Sequence, residues 1–208
     1  MLEKLRSRLP ALETHPITDK HLQANSLDAA VLAAFTRGGM EPELILTRRS
    51  NIMRSHAGEV ALPGGKIEPG DQNLIATALR ESQEEIGLRA QDVELIGQIE
   101  AMHSRQGVKV QPIIGLVDRG LVLKPCSAEL DAVFKVPVSV FYDRSALTTH
   151  SFTMNDNLVE MTAFKFQEFT IWGLTAAMIV SILNAVNDEQ IEQPQIRFRP
   201  LNKQMEST

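Results

Sequence analysis

The spacing of apolar and polar residues changes several times along this chain, and each change marks an element. MLEKLRSRLPAL predicts a short amphipathic helix interrupted by Pro10, with a polar connection through Asn25 after it. LDAAVLAAF (27–35) and ELILTRR (43–49) read as β-strands, and TRGGMEP between them has the turn chemistry of a hairpin. VALPGG is a short strand stopped by Pro63 and two glycines, and KIEPGDQN is a loop rich in breakers. LIATALRESQEEIGL then runs without glycine or proline to Gly87, with Ile75, Leu79 and Ile86 at helical spacing.

The second half alternates differently. VELIGQIEAM and KVQPIIGLVDR are strand-like around the loop HSRQG, and VFKVPVSVF fits a strand or a short helix. SFTMNDNLVEMTAFKFQEF predicts two strands about Asn155–Asn157. The charge-free run from Phe169 to Asn187 approaches the roughly 20 residues of a membrane span, but its glycine, hydroxyls and asparagines mark a buried helix. The tail from Asn187 is polar and expected to be loosely ordered or to pack only locally. The resulting division is a helical appendage over 1–25, one α/β domain over 26–190 and a tail over 191–208.

Composition narrows the functional classes. A chain of 208 residues that is 43% apolar can bury a sizeable core in one domain. A formal charge of -5 and a pI near 5.6 argue against nucleic acid or an anionic membrane as partner, so a small-molecule substrate is expected. Cys126 is the single cysteine and cannot form an internal disulfide, and the N-terminus carries no recognisable leader; both point to a reducing cytoplasm. Oligomeric state is open at this level.

The chemistry concentrates in RESQEEIG, Arg80 to Gly87. At about 100° per residue, Ile75, Leu79, Ser82 and Ile86 form one stripe, and Glu81, Glu84 and Glu85 share an arc away from it. Like charges at i,i+4 destabilise a helix, and partial burial raises that cost. A solvated acidic face is the ordinary explanation for such a turn. The loop LPGGKIEPGD before it changes the reading: Gly64 and Gly65 let the backbone come close to a bound group and can offer N–H groups to phosphate. Arg80 can compensate one carboxylate, and a hard divalent cation, Mg²⁺ or Mn²⁺, suits the remainder. His56 and His103 receive no role.

These residues resemble the Nudix box, G-x5-E-x7-R-E-U-x-E-E-x-G-U, where U is bulky and apolar. Here Gly65, five residues, Asp71 and eight residues lead into Arg80-Glu81-Ser82-Gln83-Glu84-Glu85-Ile86-Gly87-Leu88, so aspartate replaces the first glutamate, one residue is added and Ser82 takes an apolar place. Upstream, Ile45-Leu46-Thr47-Arg48-Arg49-Ser50, Arg54, Gly58 and Leu62-Pro63-Gly64-Gly65 are similar to the signature of the coenzyme A diphosphatase branch of the Nudix hydrolases.

The resemblance implies an α/β/α sandwich with a mixed β-sheet and a loop-helix-loop Nudix box. It implies that Glu81 and Glu85 ligate Mg²⁺ or Mn²⁺, and that Glu84 either joins them or orients and deprotonates the attacking water. Arg80 would hold the glutamates in place, and Asp71 could serve as a helix cap. Glu129 is a further candidate base or ligand. Arg49 and Arg54 are expected to contact the 3′-phosphate of the substrate. The implied reaction is hydrolysis of the pyrophosphate of coenzyme A or its derivatives to 3′,5′-ADP and a 4′-phosphopantetheine product. The alternatives are hydrolysis of another nucleoside diphosphate derivative such as ADP-ribose, and a non-catalytic nucleotide-binding regulator.

Overall fold

The computed structural model describes residues 1–12, 28–53, 55–125 and 128–200. Its organising strand is β1 (Asp28–Arg37), whose run of small and branched residues is buried on both faces. Ala29, Val31, Ala33 and Phe35 enter one core, while Ala30, Leu32 and Ala34 enter another. This is why LDAAVLAAF shows no polar alternation: a strand covered on both sides needs apolar residues at every position.

Around β1 lie β2 (Glu43–Arg49), β3 (Val60–Ala61), β4 (Gly64–Lys66), β5 (Glu94–Gln98), β6 (Met102–His103), β7 (Lys109–Asp118) and β8 (Leu130–Pro137). β7 runs parallel to β1 over its full length, from Asp28↔Lys109 to Arg37↔Asp118, and the other pairings are antiparallel, so the sheet is mixed. β1 and β2 form the expected antiparallel pair at Phe35↔Leu44. β2 then runs with β8, which leaves the edge of β1 to β4 and so fixes the Gly64–Gly65 loop against the central strand.

One face of the sheet is covered by α2 (Leu74–Ile86), through Ile75, Ala78 and Ile86. The other is covered by α3 (Gly173–Val186), with α1 (Leu2–Arg8) beside it. This is the α/β/α layering that the resemblance implied. α1 is more than an appendage: Leu5 is fully buried, and Lys4 and Arg8 both pair with Asp188 just beyond α3. The region 13–27, which includes most of the predicted connection, lies outside the described residues.

VFKVPVSVF resolves into both alternatives, as β8 continues to Pro137 and a 3₁₀ turn follows over Val138–Phe141. A second sheet contains β9 (Leu147–Met154) and β10 (Asn157–Phe166), joined by Asn155 and Asp156 at φ 46° and 58°. Two positive φ values in a two-residue loop match the twist of the strands it joins. β11 (Phe169–Ile171) takes the start of the long apolar run, which leaves α3 with 14 residues. No helix among the described residues is long and apolar enough to cross a membrane. The tail differs from expectation, because Ile196–Pro200 forms β12 on β10 from Met161↔Ile196 to Asn157↔Pro200.

Because Leu5 is buried in the core shared with α3, Leu5→Ala should lower unfolding free energy by about 2–4 kcal/mol in a denaturant titration. A change within about 0.5 kcal/mol, the range of surface substitutions, would show that α1 contributes nothing to the core.

Candidate active site

The acidic helix is assembled from a loop that positions its start and a glycine that ends it. Asn73 is the N-cap, accepting from the Ala76 N–H at 2.9 Å, and α2 stops at Gly87 as expected. Asp71 is therefore not the cap. Its carboxylate, only 5% exposed, takes two bonds from Arg80, from Nε at 2.9 Å and from Nη2 at 3.0 Å. It also accepts from the Glu68 N–H and the Thr77 hydroxyl, both at 2.9 Å. Burial works to raise the Asp71 carboxyl, but these bonds outweigh it and hold the group below its ordinary value.

Anchored in this way, Arg80 reaches the acidic cluster. Its Nη1 donates to Glu81 Oε1 at 3.0 Å and to Glu84 Oε2 at 3.1 Å, and its Nη2 also bonds the Lys66 carbonyl at 3.0 Å. The hydrogen bonds to Asp71, with Glu81 adding its charge, raise the guanidinium's pKa further. Glu84 is 58% exposed beyond Arg80. Ser82, the odd residue of the apolar stripe, is buried and donates to the Ala78 carbonyl at 2.7 Å, which satisfies its hydroxyl inside the helix.

Glu85 turns the other way. Its Oε2 accepts from the Gly64 N–H at 3.1 Å. Burial pushes its carboxyl up to about 7, the Gly64 bond works against that, and the charges of Glu81 and Glu129 add to it. Burial likewise raises Glu81, against the pull of Arg80. The glycine pair serves these two glutamates first. A Cβ on Gly65 would lie 2.4 Å from Glu81 Oε1, and one on Gly64, at φ +152°, would lie 2.3 Å from the Ala30 carbonyl oxygen. The N–H of Gly64, expected to face phosphate, is spent on Glu85.

Whether these residues fit a divalent cation rests on the donor set. Two half-buried carboxylates one helical turn apart, both made harder to ionise by burial, supply the hard oxygens and the unbalanced charge that Mg²⁺ or Mn²⁺ would answer. Among the described residues no three acidic or histidine side chains converge as a ready-made cage. A pair completed by water and phosphate oxygens matches the habit of Mg²⁺.

On the α3 side of the sheet lies a cavity of about 1060 Å³ whose wall includes Gly64 and Gly65, while Glu81, Glu84 and Glu85 are not among its lining residues. Arg49 lies on its wall, donating to Glu129 at 3.0 Å while its Nε is buried with no hydrogen-bond partner among the described residues. Arg54 lies outside the described residues. His56, His103, Arg105 and Trp172 also line the cavity; His56 and His103 had been given no role, and Arg105 and Trp172 were not singled out. His56 is 2.8 Å from Glu59, and Trp172 stacks on His150 with ring centroids 4.2 Å apart. They come from separate segments of the chain, which only the fold brings to one cavity.

An acid-faced helix clamped by one arginine behind a glycine pair, with a large cleft beside that pair, is the arrangement this α/β fold presents. Residues 26–147 match the NUDIX domain. The chain is 39% identical over 171 residues to a protein of Photorhabdus laumondii described as an uncharacterized Nudix hydrolase NudL, covering 82% of this chain and 91% of that one. The protein so described in Yersinia enterocolitica is 40% identical over 167 residues, with 79% and 84% covered. A solved Nudix hydrolase of Alicyclobacillus acidocaldarius superposes with TM-score 0.47 at 18% identity, over 76% of this chain and 90% of its own. The chain belongs to the Nudix family and is a Nudix hydrolase.

Two outcomes follow from the geometry. A carboxyl whose folded pKa lies near 7, above its ordinary 4.5, costs stability progressively as pH rises between those values. Without metal, Glu85→Gln should therefore raise the unfolding free energy at pH 8 by about 1–2 kcal/mol after allowance for solvent screening, with a matching rise in melting temperature, and leave both nearly unchanged at pH 4. An equal shift at both values would refute the burial argument. Gly65→Ala, by driving a methyl into Glu81, should lower kcat at least about tenfold while circular dichroism stays that of the parent; parental kcat would show that the Glu81 position is not critical.

Proposed function

We propose that this Nudix hydrolase cleaves the pyrophosphate of coenzyme A or its derivatives, giving 3′,5′-ADP and a 4′-phosphopantetheine product. The observation that carries the reading is Arg49. It belongs to the signature stretch Ile45–Gly65, it stands on the wall of the cavity beside Gly64–Gly65, and its Nε is a buried donor left without a partner among the described residues. A buried unpaired donor costs about 1–3 kcal/mol. A phosphate on that side would remove the cost and exploit the fork geometry of arginine.

Each residue then has a task. Glu81 and Glu85 would hold Mg²⁺ or Mn²⁺, which when bound neutralises the pyrophosphate and activates water for in-line displacement at phosphorus. Arg80, locked by Asp71, keeps Glu81 in position. Gly64 and Gly65 let Glu85 and Glu81 stand close against the strand on the cavity wall, where the pyrophosphate would lie. Arg49 and Arg54 contact the 3′-phosphate that distinguishes coenzyme A from its 3′-dephospho form and from ADP-ribose. Glu84 removes the proton of the attacking water or completes the ligand set. Glu129 is the second candidate for the base, because its charge is felt by Glu85 and its carboxylate is already joined to Arg49.

Incubation of the protein with coenzyme A and Mg²⁺ or Mn²⁺ should yield 3′,5′-ADP, identified by mass spectrometry, and coenzyme A should be preferred to its 3′-dephospho form and to ADP-ribose. Clear preference for ADP-ribose would sink the coenzyme A reading. Tight binding of a nucleotide without cleavage of any pyrophosphate would favour a non-catalytic regulator. Glu85→Gln should abolish turnover without unfolding the protein. Glu84→Gln should lower kcat about 10²–10⁴-fold; a larger kcat loss in Glu129→Gln would move the base to Glu129.

A further inference from the structure

Thr77 is fully buried in the first turn of α2 and is not part of the cavity wall. Side chains on a helix lean towards its N-terminus, and here that direction leads to Asp71. The Thr77 hydroxyl lies 2.9 Å from Asp71 Oδ2 and 3.3 Å from the Asn73 carbonyl oxygen, the helix's own i−4 acceptor. A hydroxyl has one proton to give. The shorter contact, to a charged acceptor, takes it, so the group is a committed donor to the carboxylate.

That bond completes the hold on Asp71. A turn over Pro69 and Gly70, closed by the Asp71 N–H on the Glu68 carbonyl at 3.1 Å, brings the aspartate inward. Its Oδ1 then accepts from Arg80 Nε, and its Oδ2 from Arg80 Nη2, the Glu68 N–H and the Thr77 hydroxyl. Thr77 and Arg80 stand three apart on one face of α2, so the helix grips the carboxylate from both ends of a turn. On the other side of the guanidinium, Nη1 is contested by Glu81 Oε1 at 3.0 Å, Glu84 Oε2 at 3.1 Å and Glu68 Oε2 at 3.8 Å. Glu68 and Glu84 are exposed, whereas Glu81 is partly buried. An Asp71 carboxylate free to rotate would let the fork swing towards the exposed pair and release Glu81.

Resting on the assignment of Glu81 and Glu85 as metal ligands, we propose that Thr77 is a positioning residue: by locking the orientation of the Asp71 carboxylate, its hydroxyl fixes the Arg80 fork and keeps Glu81 in place to share Mg²⁺ or Mn²⁺ with Glu85. Thr77 touches neither cation nor substrate and acts through two other side chains. The role belongs to this form of the box, in which position 71 carries a side chain one methylene shorter than glutamate and stands one residue further from Arg80. The carboxylate there lies against the first turn of the helix, where a hydroxyl meets it.

The test compares Thr77→Val, which keeps the shape and loses the donor, with Thr77→Ser, which keeps the donor. In metal-free protein the Nε–H proton of Arg80, assigned by its absence from the NMR spectrum of Arg80→Lys, should exchange with solvent roughly tenfold faster or more in Thr77→Val, and at close to the parental rate in Thr77→Ser. In calorimetric titration with Mn²⁺ alone, Thr77→Val should bind about 10–100-fold more weakly, and Thr77→Ser as the parent does. Thr77→Ala, which removes the same donor without placing a methyl against the carboxylate, should reproduce both changes, so a folding failure of Thr77→Val leaves the test intact. Leu5→Ala, destabilising but remote, should change neither reading. Parental exchange and Mn²⁺ affinity in the donor-less variants would overturn the assignment, and so would equal losses in Thr77→Ser, which would trace the effect to methyl packing. Faster exchange with parental Mn²⁺ affinity would likewise overturn the link from Thr77 to the metal site. A parent that binds no Mn²⁺ would instead overturn the reading of Glu81 and Glu85 as ligands, while the Arg80 exchange still decides what the hydroxyl holds.

Discussion

Everything in this site depends on one guanidinium. The i,i+4 pair Glu81 and Glu85, with Glu84 beside it, would repel itself out of a half-buried position unless a cation were fixed among the charges. Arg80 is that cation, and it is fixed because Asp71 takes both of its inner N–H groups in a nearly buried bidentate bond. The remaining donors are thereby aimed at Glu81, Glu84 and the Lys66 carbonyl. Glu85 is left outside this web, held by a single backbone N–H and burdened by burial. The helix thus carries one compensated half and one half still short of positive charge.

The sheet divides the labour. The acidic helix covers one face, and the cavity lies on the other, among the residues that pack under α3. The two meet where side chains are missing, at Gly64 and Gly65. One glycine presses on the backbone of β1 and the other on the carboxylate of Glu81, so any larger residue would clash with β1 or displace a glutamate. The pairing of β4 with β1 keeps this glycine pair at a fixed height on the sheet.

Some of this was legible in the chain alone. The helix of the box follows from its apolar period and its glycine stop, and the acidic arc from the positions of three glutamates; both are local properties within one helix. Other features were not legible. Asn73 rather than Asp71 caps the helix, because the loop turns Asp71 inward to Arg80, and two short polar side chains in one loop carry the same local signal. The tail was expected to be loosely ordered or to pack only locally, yet Ile196–Pro200 joins β10; its alternation Ile196-Arg197-Phe198-Arg199 is a strand pattern, but a short one inside a polar stretch, and all five residues stay exposed.

The sequence by itself determined the layered α/β class, the acidic helix, the glycine pair before it and the basic stretch before that, because each rests on spacing within a short window or on resemblance at fixed positions. Only the tertiary structure decided what those residues face. It spent the Gly64 N–H on Glu85, joined Arg49 to Glu129 across 80 positions, and built a cavity from residues as distant as Arg49 and Ile196. The physical reason is that periodicity records which side of an element is buried, whereas the partners on that side are set by strand order and register, which no local window contains.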